Sequence, residues 1–319
     1  MRQLHEAQVE LIDAFVAESG TPDITPALLE KDIHITDALA AIKAIVHEHV
    51  NFVFCGGTCL SKAHHIIQRM SEDVDLKVAL AAGHGLSKSA LRNHLGQLRE
   101  KVCHELTNLG FEEVLDARMS RNENLYFASQ WLYAPCYAAH ESLRPFLQLE
   151  FTARQPRHGV VQKPIGYLLH DLVGREASWL MDCVTVEETL SEKVVSFLRR
   201  YAEDRAGRSR HVWDTALVRH IFDCHCILMA NDGVLEKAAV HFKELVATDV
   251  IEFGKYLPSF VENPAAVLAE ALASAECDTR CSQEYQQFLL PLIFGEMKPS
   301  FQVAYQSFRR CAETLLATL

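Results

Sequence analysis

Asp73 and Asp75 stand two residues apart in the segment SEDVDLKV, where polar and apolar residues alternate. On a strand this spacing turns both carboxylates to one face, where they can hold a hard cation between them. Like charges side by side on a strand repel, so the pair asks for a reason. The plain alternative for an isolated D-x-D is a solvated turn at the end of an element. Upstream, the short apolar run Phe52–Cys55 stops at Gly56-Gly57-Thr58, the pattern of a buried strand entering a tight turn. Paired glycines let the backbone approach a ligand, and a helix that follows directs its free N–H groups at an anion. A phosphate cradle beside paired carboxylates is the arrangement that phosphoryl and nucleotidyl transfer need.

Glu150 offers a third carboxylate. It lies within RPFLQLEFTA, facing away from Leu149 and Phe151. It reads either as the ligand that completes a two-metal centre or as an exposed or locally ion-paired strand residue. A second group of charges runs from 193 to 211: Lys193, Arg199, Arg200, Arg205, Arg208, Arg210 and His211, against only Glu203 and Asp204. In a chain of net charge −11 this is a local reversal of sign. Lys193 and Arg200 are two helical turns apart and share a face, which could equally be a solvated one. By its chemistry alone, Asp214 is a helix cap or an ion-pair partner.

The elements that must carry these residues follow from periodicity. Residues 1–20 and 27–49 read as helices, 52–55 as a buried strand, 58–68 as a short helix and 73–78 as a strand with one wet face. Leu91, Leu95, Leu98, Val102, Leu106 and Leu109 stripe a helix over 86–109 that Gly110 ends. Strands are expected at 111–118, 124–134 and 144–153. Beyond about 165 strand signals become rare, and helices are expected at 187–204, 211–230, 234–246, 264–275, 283–294 and 299–317. The fold class is α+β: a mixed sheet with flanking helices over 1–165, followed by a helical domain over 166–319.

Composition narrows the class. The chain has 319 residues, 49% hydrophobic and 23% charged, which suits a globular protein with a sizeable core. No apolar run is long enough for a membrane helix, and the first residues show no export signal, so a cytoplasmic location with reduced thiols is expected. The ten cysteines include Cys224-His225-Cys226 near His220 and the pair Cys277 and Cys281. Adjacent Cys-His-Cys on a helix does not readily give three ligands, so these read as core and edge residues rather than a zinc site. His64 and His65, close to the glycine turn, read as half-exposed helix residues. Trp131, Trp179 and Trp213 read as core anchors, with base stacking an alternative for Trp213.

The segment GGTCLSKAHHIIQRMSEDVDL resembles the first motif of the AbiEii-type abortive-infection nucleotidyltransferase toxins, within the polymerase-beta-like superfamily. Gly56, Gly57, Thr58, Leu60, Lys62, Arg69, Ser71, Asp73 and Asp75 fill the motif, and Glu30, Lys31 and Asp32 match the family's leading helix. VEETLSEKVVSFLRR and RHVWD extend the likeness to about residue 220. The resemblance implies a toxin of a bacterial toxin–antitoxin system that moves a nucleotide from an NTP to an acceptor hydroxyl and releases pyrophosphate. It implies magnesium, with manganese an alternative, at Asp73, Asp75 and Glu150, and places Asp73, Asp75, Lys193 and Asp214 in the catalytic centre. Gly56, Gly57, Thr58, Lys62, Arg69, Ser71, Lys193 and Arg200 would bind the nucleotide, and Asp214 would position Lys193 or the NTP. The tRNA 3′ end is the implied acceptor and an antitoxin protein the implied partner. The competing readings are an enzyme of the same fold that modifies a protein or a small molecule, and a binding module that has lost its chemistry.

Overall fold

A computed structural model describes residues 1–19, 23–138, 142–175, 179–209 and 213–319, the Ser19 side chain apart. The chain forms two compact units. The first holds Met1–His65 and Met70–Val184, and the second holds Ile66–Arg69 and Thr185–Leu319.

In the first unit, α1 (Glu6–Ser19) and α2 (Pro26–Ala44) precede the sheet. Thr25 caps α2 by accepting the Leu28 N–H, and Pro26 suits its first turn. Strand β1 (Val50–Cys55), helix α3 (Gly56–Lys62) and strand β2 (Asp73–Leu80) carry the glycine turn and the D-x-D pair. Helix α4 (Lys88–Asn108) follows, and buries Leu95, Leu98, Val102 and Leu106 as its stripe requires. The remaining strands are β3 (Glu112–Glu113), β4 (Met119–Arg121), β5 (Tyr126–Leu132), β6 (Phe146–Thr152) and β7 (Val160–Ile165). Helix α5 (Leu168–Leu172) and strand β8 (Trp179–Val184) complete the unit.

The strands form one mixed sheet in the order β3-β5-β6-β2-β1-β8-β7, with β4 paired to β5. β2 runs parallel to β6 and antiparallel to β1, and β1 runs parallel to β8. One face is core: Phe54, Val74, Leu76, Leu147, Leu149 and Phe151 are buried there, and Phe127 stacks on Phe151 with ring centroids 4.4 Å apart. Strand β8 departs from the expectation that strands end near 165. Its run WLMDCV is short and interrupted by Asp182, so period-two alternation is weak, yet it pairs with β1 inside the sheet. The division between units consequently falls at 184/185 rather than at 165/166.

The second unit is helical among its described residues. Its helices are α6 (Val186–Arg205), α7 (Arg219–Ala230), α8 (Val234–Ala239), α9 (Phe242–Phe253), α10 (Pro258–Glu262), α11 (Pro264–Glu276), α12 (Thr279–Glu284) and α13 (Phe301–Leu316). Thr185 caps α6 by accepting the Glu188 N–H. α6 packs against α7, α8, α9, α11 and α13, which buries much of its circumference. The expected helix over 211–230 begins later, at 219, after a 3₁₀ turn over 215–218. The one expected over 283–294 breaks into a π turn and a 3₁₀ turn at Pro291.

Candidate active site

Asp73 is level with Gln148 across β2 and β6, and Asp75 is level with Glu150. Residues level across a parallel pair point the same way, so Asp73, Asp75 and Glu150 share the sheet face opposite the core. All three are half-buried, while Val74, Leu76, Leu149 and Phe151 between them are buried. Lys77, the next residue of β2 on that face, is also buried.

The glycine turn closes onto this face from the end of β1. Cys55 is level with Asp75, and Gly56 has a φ of +76°. A Cβ on Gly56 would lie 2.0 Å from Asp75 Oδ2. The turn therefore presses its bare Cα against the carboxylate, which only glycine allows. α3 starts here with no side-chain cap. Thr58 and Ser71, expected at phosphate oxygens, are buried: the Thr58 hydroxyl donates to the Asp73 carbonyl and lies 3.0 Å from Ser71 Oγ. These hydroxyls tie the glycine turn to the first residue of β2.

The carboxylates have distinct neighbours. Asp73 Oδ1 accepts from the Arg144 guanidinium. Glu150 Oε2 accepts from the Tyr126 hydroxyl at 3.0 Å. Burial, then the Glu150 charge, pushes the Tyr126 hydroxyl far above its usual range, so it stays a donor. Among the described residues no three His, Cys, Asp or Glu side chains gather closely enough to hold an ion as a group. Asp73 and Asp75 themselves offer only carboxylate oxygens on one face, with a guanidinium already drawn to Asp73. That donor set fits a hard divalent cation, with Glu150 one strand away.

Lys62 is buried within the first unit. Its ammonium pairs with buried Asp32 at 2.5 Å, and Asp32 Oδ2 also accepts the Leu168 N–H at 2.7 Å. Glu30 accepts the N–H groups of Cys136 and Tyr137 at 2.7 and 3.3 Å. Lys31 donates to the carbonyls of Arg144 and Phe146, each at 2.6 Å. The run Glu30-Lys31-Asp32 is thus a row of buried anchors, holding the turn at 136–137, the entry to β6 and the start of α5.

The second unit holds the other expected residues. Arg69 makes a two-pronged pair with Asp223, Nε to Oδ1 at 2.8 Å and Nη2 to Oδ2 at 2.7 Å. Lys193 Nζ is 2.6 Å from Asp223 Oδ2. All three side chains are buried, and although burial opposes the Asp223 charge, the guanidinium and the ammonium hold its carboxyl well below the usual range. Burial, with Lys193 and Arg200 nearby, drives the His220 imidazole well below its ordinary value, so it is neutral. Asp214 pairs with Arg200 at 2.8 Å and accepts the Ala216 N–H at 2.9 Å. The carboxylate that meets Lys193 is thus Asp223, while Asp214 is the cap and ion-pair partner its chemistry allowed.

The basic stretch is not one solvated face. Arg199 turns inward to Asp249 and Glu203, each at 2.9 Å, and lies 3.8 Å from the Phe253 ring centroid. Trp213 donates to Glu284 at 2.6 Å, with Arg280 stacked on its ring. Arg210 and His211 fall outside the described residues. Asp223, Arg144 and Glu72 were not singled out by sequence. The signal for Asp223 is a carboxylate inside the apolar run HIFDCHCIL. Nothing local marks Arg144.

An antiparallel–parallel sheet with two carboxylates two residues apart beside a strand–glycine–helix turn defines a nucleotidyltransferase-type domain. The chain belongs to the AbiEii nucleotidyl transferase toxin family of type IV toxin–antitoxin systems, whose model matches residues 37–307. It is a nucleotidyltransferase toxin, and the family implies an NTP substrate and an antitoxin counterpart. Among solved structures it resembles the nucleotidyltransferase toxin MenT4 from Mycobacterium tuberculosis H37Rv, at 16% identity and a TM-score of 0.51, over 99% of both chains. JHP933 from Helicobacter pylori matches at 15% identity and a TM-score of 0.41, over 90% of this chain and 93% of that one. No curated protein is similar to the chain in sequence. No described helix is long and apolar enough to cross a membrane.

Proposed function

We propose that the protein transfers a nucleoside monophosphate from an NTP to the 3′ end of tRNA, releasing pyrophosphate, with Asp73 and Asp75 as the central catalytic carboxylates. The observation that carries this reading is the contact of Gly56 with Asp75: the turn suited to phosphate and the carboxylate suited to a cation are in direct touch. Asp73 and Asp75, with Glu150 one strand away, would hold divalent magnesium, for which manganese could substitute. When bound, such ions lower the pKa of an attacking hydroxyl and offset charge on the leaving pyrophosphate.

The chain's own residues supply the rest. The first-turn N–H groups of α3, at Gly57 and Thr58, are donors suited to phosphate oxygens. Thr58 and Ser71 fix the turn against Asp73. Lys193, paired with Asp223, brings an ammonium for the triphosphate, and Arg200, oriented by Asp214, brings a guanidinium. Arg69 shares Asp223 with Lys193 and so sets how that carboxylate is aimed. Lys62 acts through Asp32 on the end of α3. The acceptor oxygen bonds to the α-phosphorus as the bond to the bridging oxygen breaks, and the hydroxyl proton passes to a carboxylate or to water. The family and the exposed Arg205 and Arg208 favour a polynucleotide acceptor in a bacterial cytoplasm.

Purified protein incubated with magnesium, each labelled NTP, total tRNA and cell lysate tests this. Label in tRNA that is lost in Asp73→Ala, while that variant keeps its unfolding midpoint, is the expected result. Label in protein or in a small molecule would replace tRNA as the acceptor. Full activity of Asp73→Ala would sink the assignment.

A further inference from the structure

Two buried charges of the first unit are spent on the peptide groups of one half-exposed residue. Glu72 Oε2 accepts the Arg144 N–H at 2.6 Å, and Lys31 Nζ donates to the Arg144 carbonyl at 2.6 Å. The Lys31 and Glu72 side chains are 0% and 1% exposed and lie 3.5 Å apart. Burial pushes the Lys31 ammonium down to about 8 against the pull of Glu72, a sign of how strongly the site is desolvated. Water would satisfy an ordinary surface peptide without any buried charge, so the anchoring, which Lys31 extends to the Phe146 carbonyl at 2.6 Å, fixes the backbone on both sides of Pro145. Pro145 follows and confines Arg144 to extended backbone. The backbone of Arg144 is thus held from both sides.

Its side chain reaches solvent. It is 36% exposed, with the guanidinium 5.8 Å from the Phe146 ring centroid. One end nitrogen meets Asp73 Oδ1, and Nε is 3.6 Å from Glu72 Oε1. A long side chain on a fixed backbone, resting at the mouth of the carboxylate face, can turn without moving the chain that bears it. Its planar fork of donors suits phosphate as well as it suits a carboxylate. A divalent cation and a guanidinium repel each other when they compete for one carboxylate, so occupancy of Asp73 by either loosens the other.

We propose that Arg144 is a triphosphate-binding residue held in waiting on Asp73: its guanidinium pairs with that carboxylate and turns to a phosphate oxygen of the NTP when a divalent cation takes its place. This rests on the reading of Asp73 as a cation ligand. It also gives a purpose to Lys31 and Glu72, which set the point about which the guanidinium turns.

The test compares wild type, Arg144→Gln and Arg144→Lys as the full chain. Titration calorimetry with Mn2+ alone, without nucleotide, should show Arg144→Gln binding about threefold more tightly, because the competing half-exposed ion pair is gone. In transfer assays the same variant should raise the KM for NTP by about tenfold, with a smaller loss in kcat. Arg144→Lys should recover part of the NTP affinity, as a point charge without the fork. Mn2+ affinity that is unchanged or weaker in Arg144→Gln overturns the proposal, and so does an unchanged KM. Asp73→Asn is the separate control: if it binds Mn2+ as wild type does, the cation reading itself fails, whatever Arg144→Gln shows.

Discussion

Gly56 and Asp75 are locked together: a single methyl group on the first would stand 2.0 Å from a carboxylate oxygen of the second. The φ of +76° at Gly56 adds a backbone requirement to the steric one. Gly56→Ala should therefore fail twice. The left-handed backbone costs about 1 kcal/mol for alanine, and relieving the clash must push Asp75 or the turn aside. Transfer should fall by about 100-fold or more, since misplacing a catalytic group by an ångström is enough for that. Urea unfolding run beside the labelled-NTP assay separates the two losses. Wild-type turnover in Gly56→Ala would show that the turn does not set the carboxylate.

Asp223 balances two buried cations, Arg69 and Lys193. Replacing it by asparagine leaves both with no counter-charge on that side chain, a loss of about 3–5 kcal/mol for breaking a buried pair. Asp223→Asn should show this as a lowered urea midpoint. A change below about 1 kcal/mol would mean that the two cations find other partners.

The same group sets an acid limit. Its folded-state carboxyl is held well below the ordinary value of 3.8, so its contribution is present above that value. As pH falls below about 4 the unfolded chain takes up a proton first, and the contribution erodes by up to about 1.4 kcal/mol per pH unit. The stability gap between wild type and Asp223→Asn should thus be constant from about pH 7 to 5 and narrow toward pH 3. A gap that widens toward acid would contradict the depressed carboxyl.

Lys62 and Asp32 form a second buried pair, at 2.5 Å. Lys62→Met and Asp32→Asn should each destabilise by about 2–4 kcal/mol, and the double variant by clearly less than their sum. If Lys62 anchors α3 rather than touching phosphate, the KM for NTP in Lys62→Met should stay within about threefold of wild type. A large KM rise with little loss of stability would return Lys62 to the nucleotide.

The local parts of the site were legible because their geometry is local. A strand fixes the shared face of Asp73 and Asp75 at a spacing of two, and the same alternation turns Glu150 away from the core. Gly56-Gly57 after an apolar run marks a strand–helix turn whatever the rest of the chain does. Long periodic helices such as α4, α6 and α13 declared themselves by their stripes. Three things waited for the tertiary structure. Strand β8 is identified by its pairing with β1, because WLMDCV carries no clear period. Glu150 comes level with Asp75 only through the parallel pairing of β2 and β6. The partners of the charged motif residues lie far along the chain: Lys62 with Asp32, Arg69 and Lys193 with Asp223, and Asp73 with Arg144. Side-chain types and short spacings state what chemistry is available. Which charges are neutralised, and which are left to meet a ligand, depends on contacts across dozens of residues that only folding brings together.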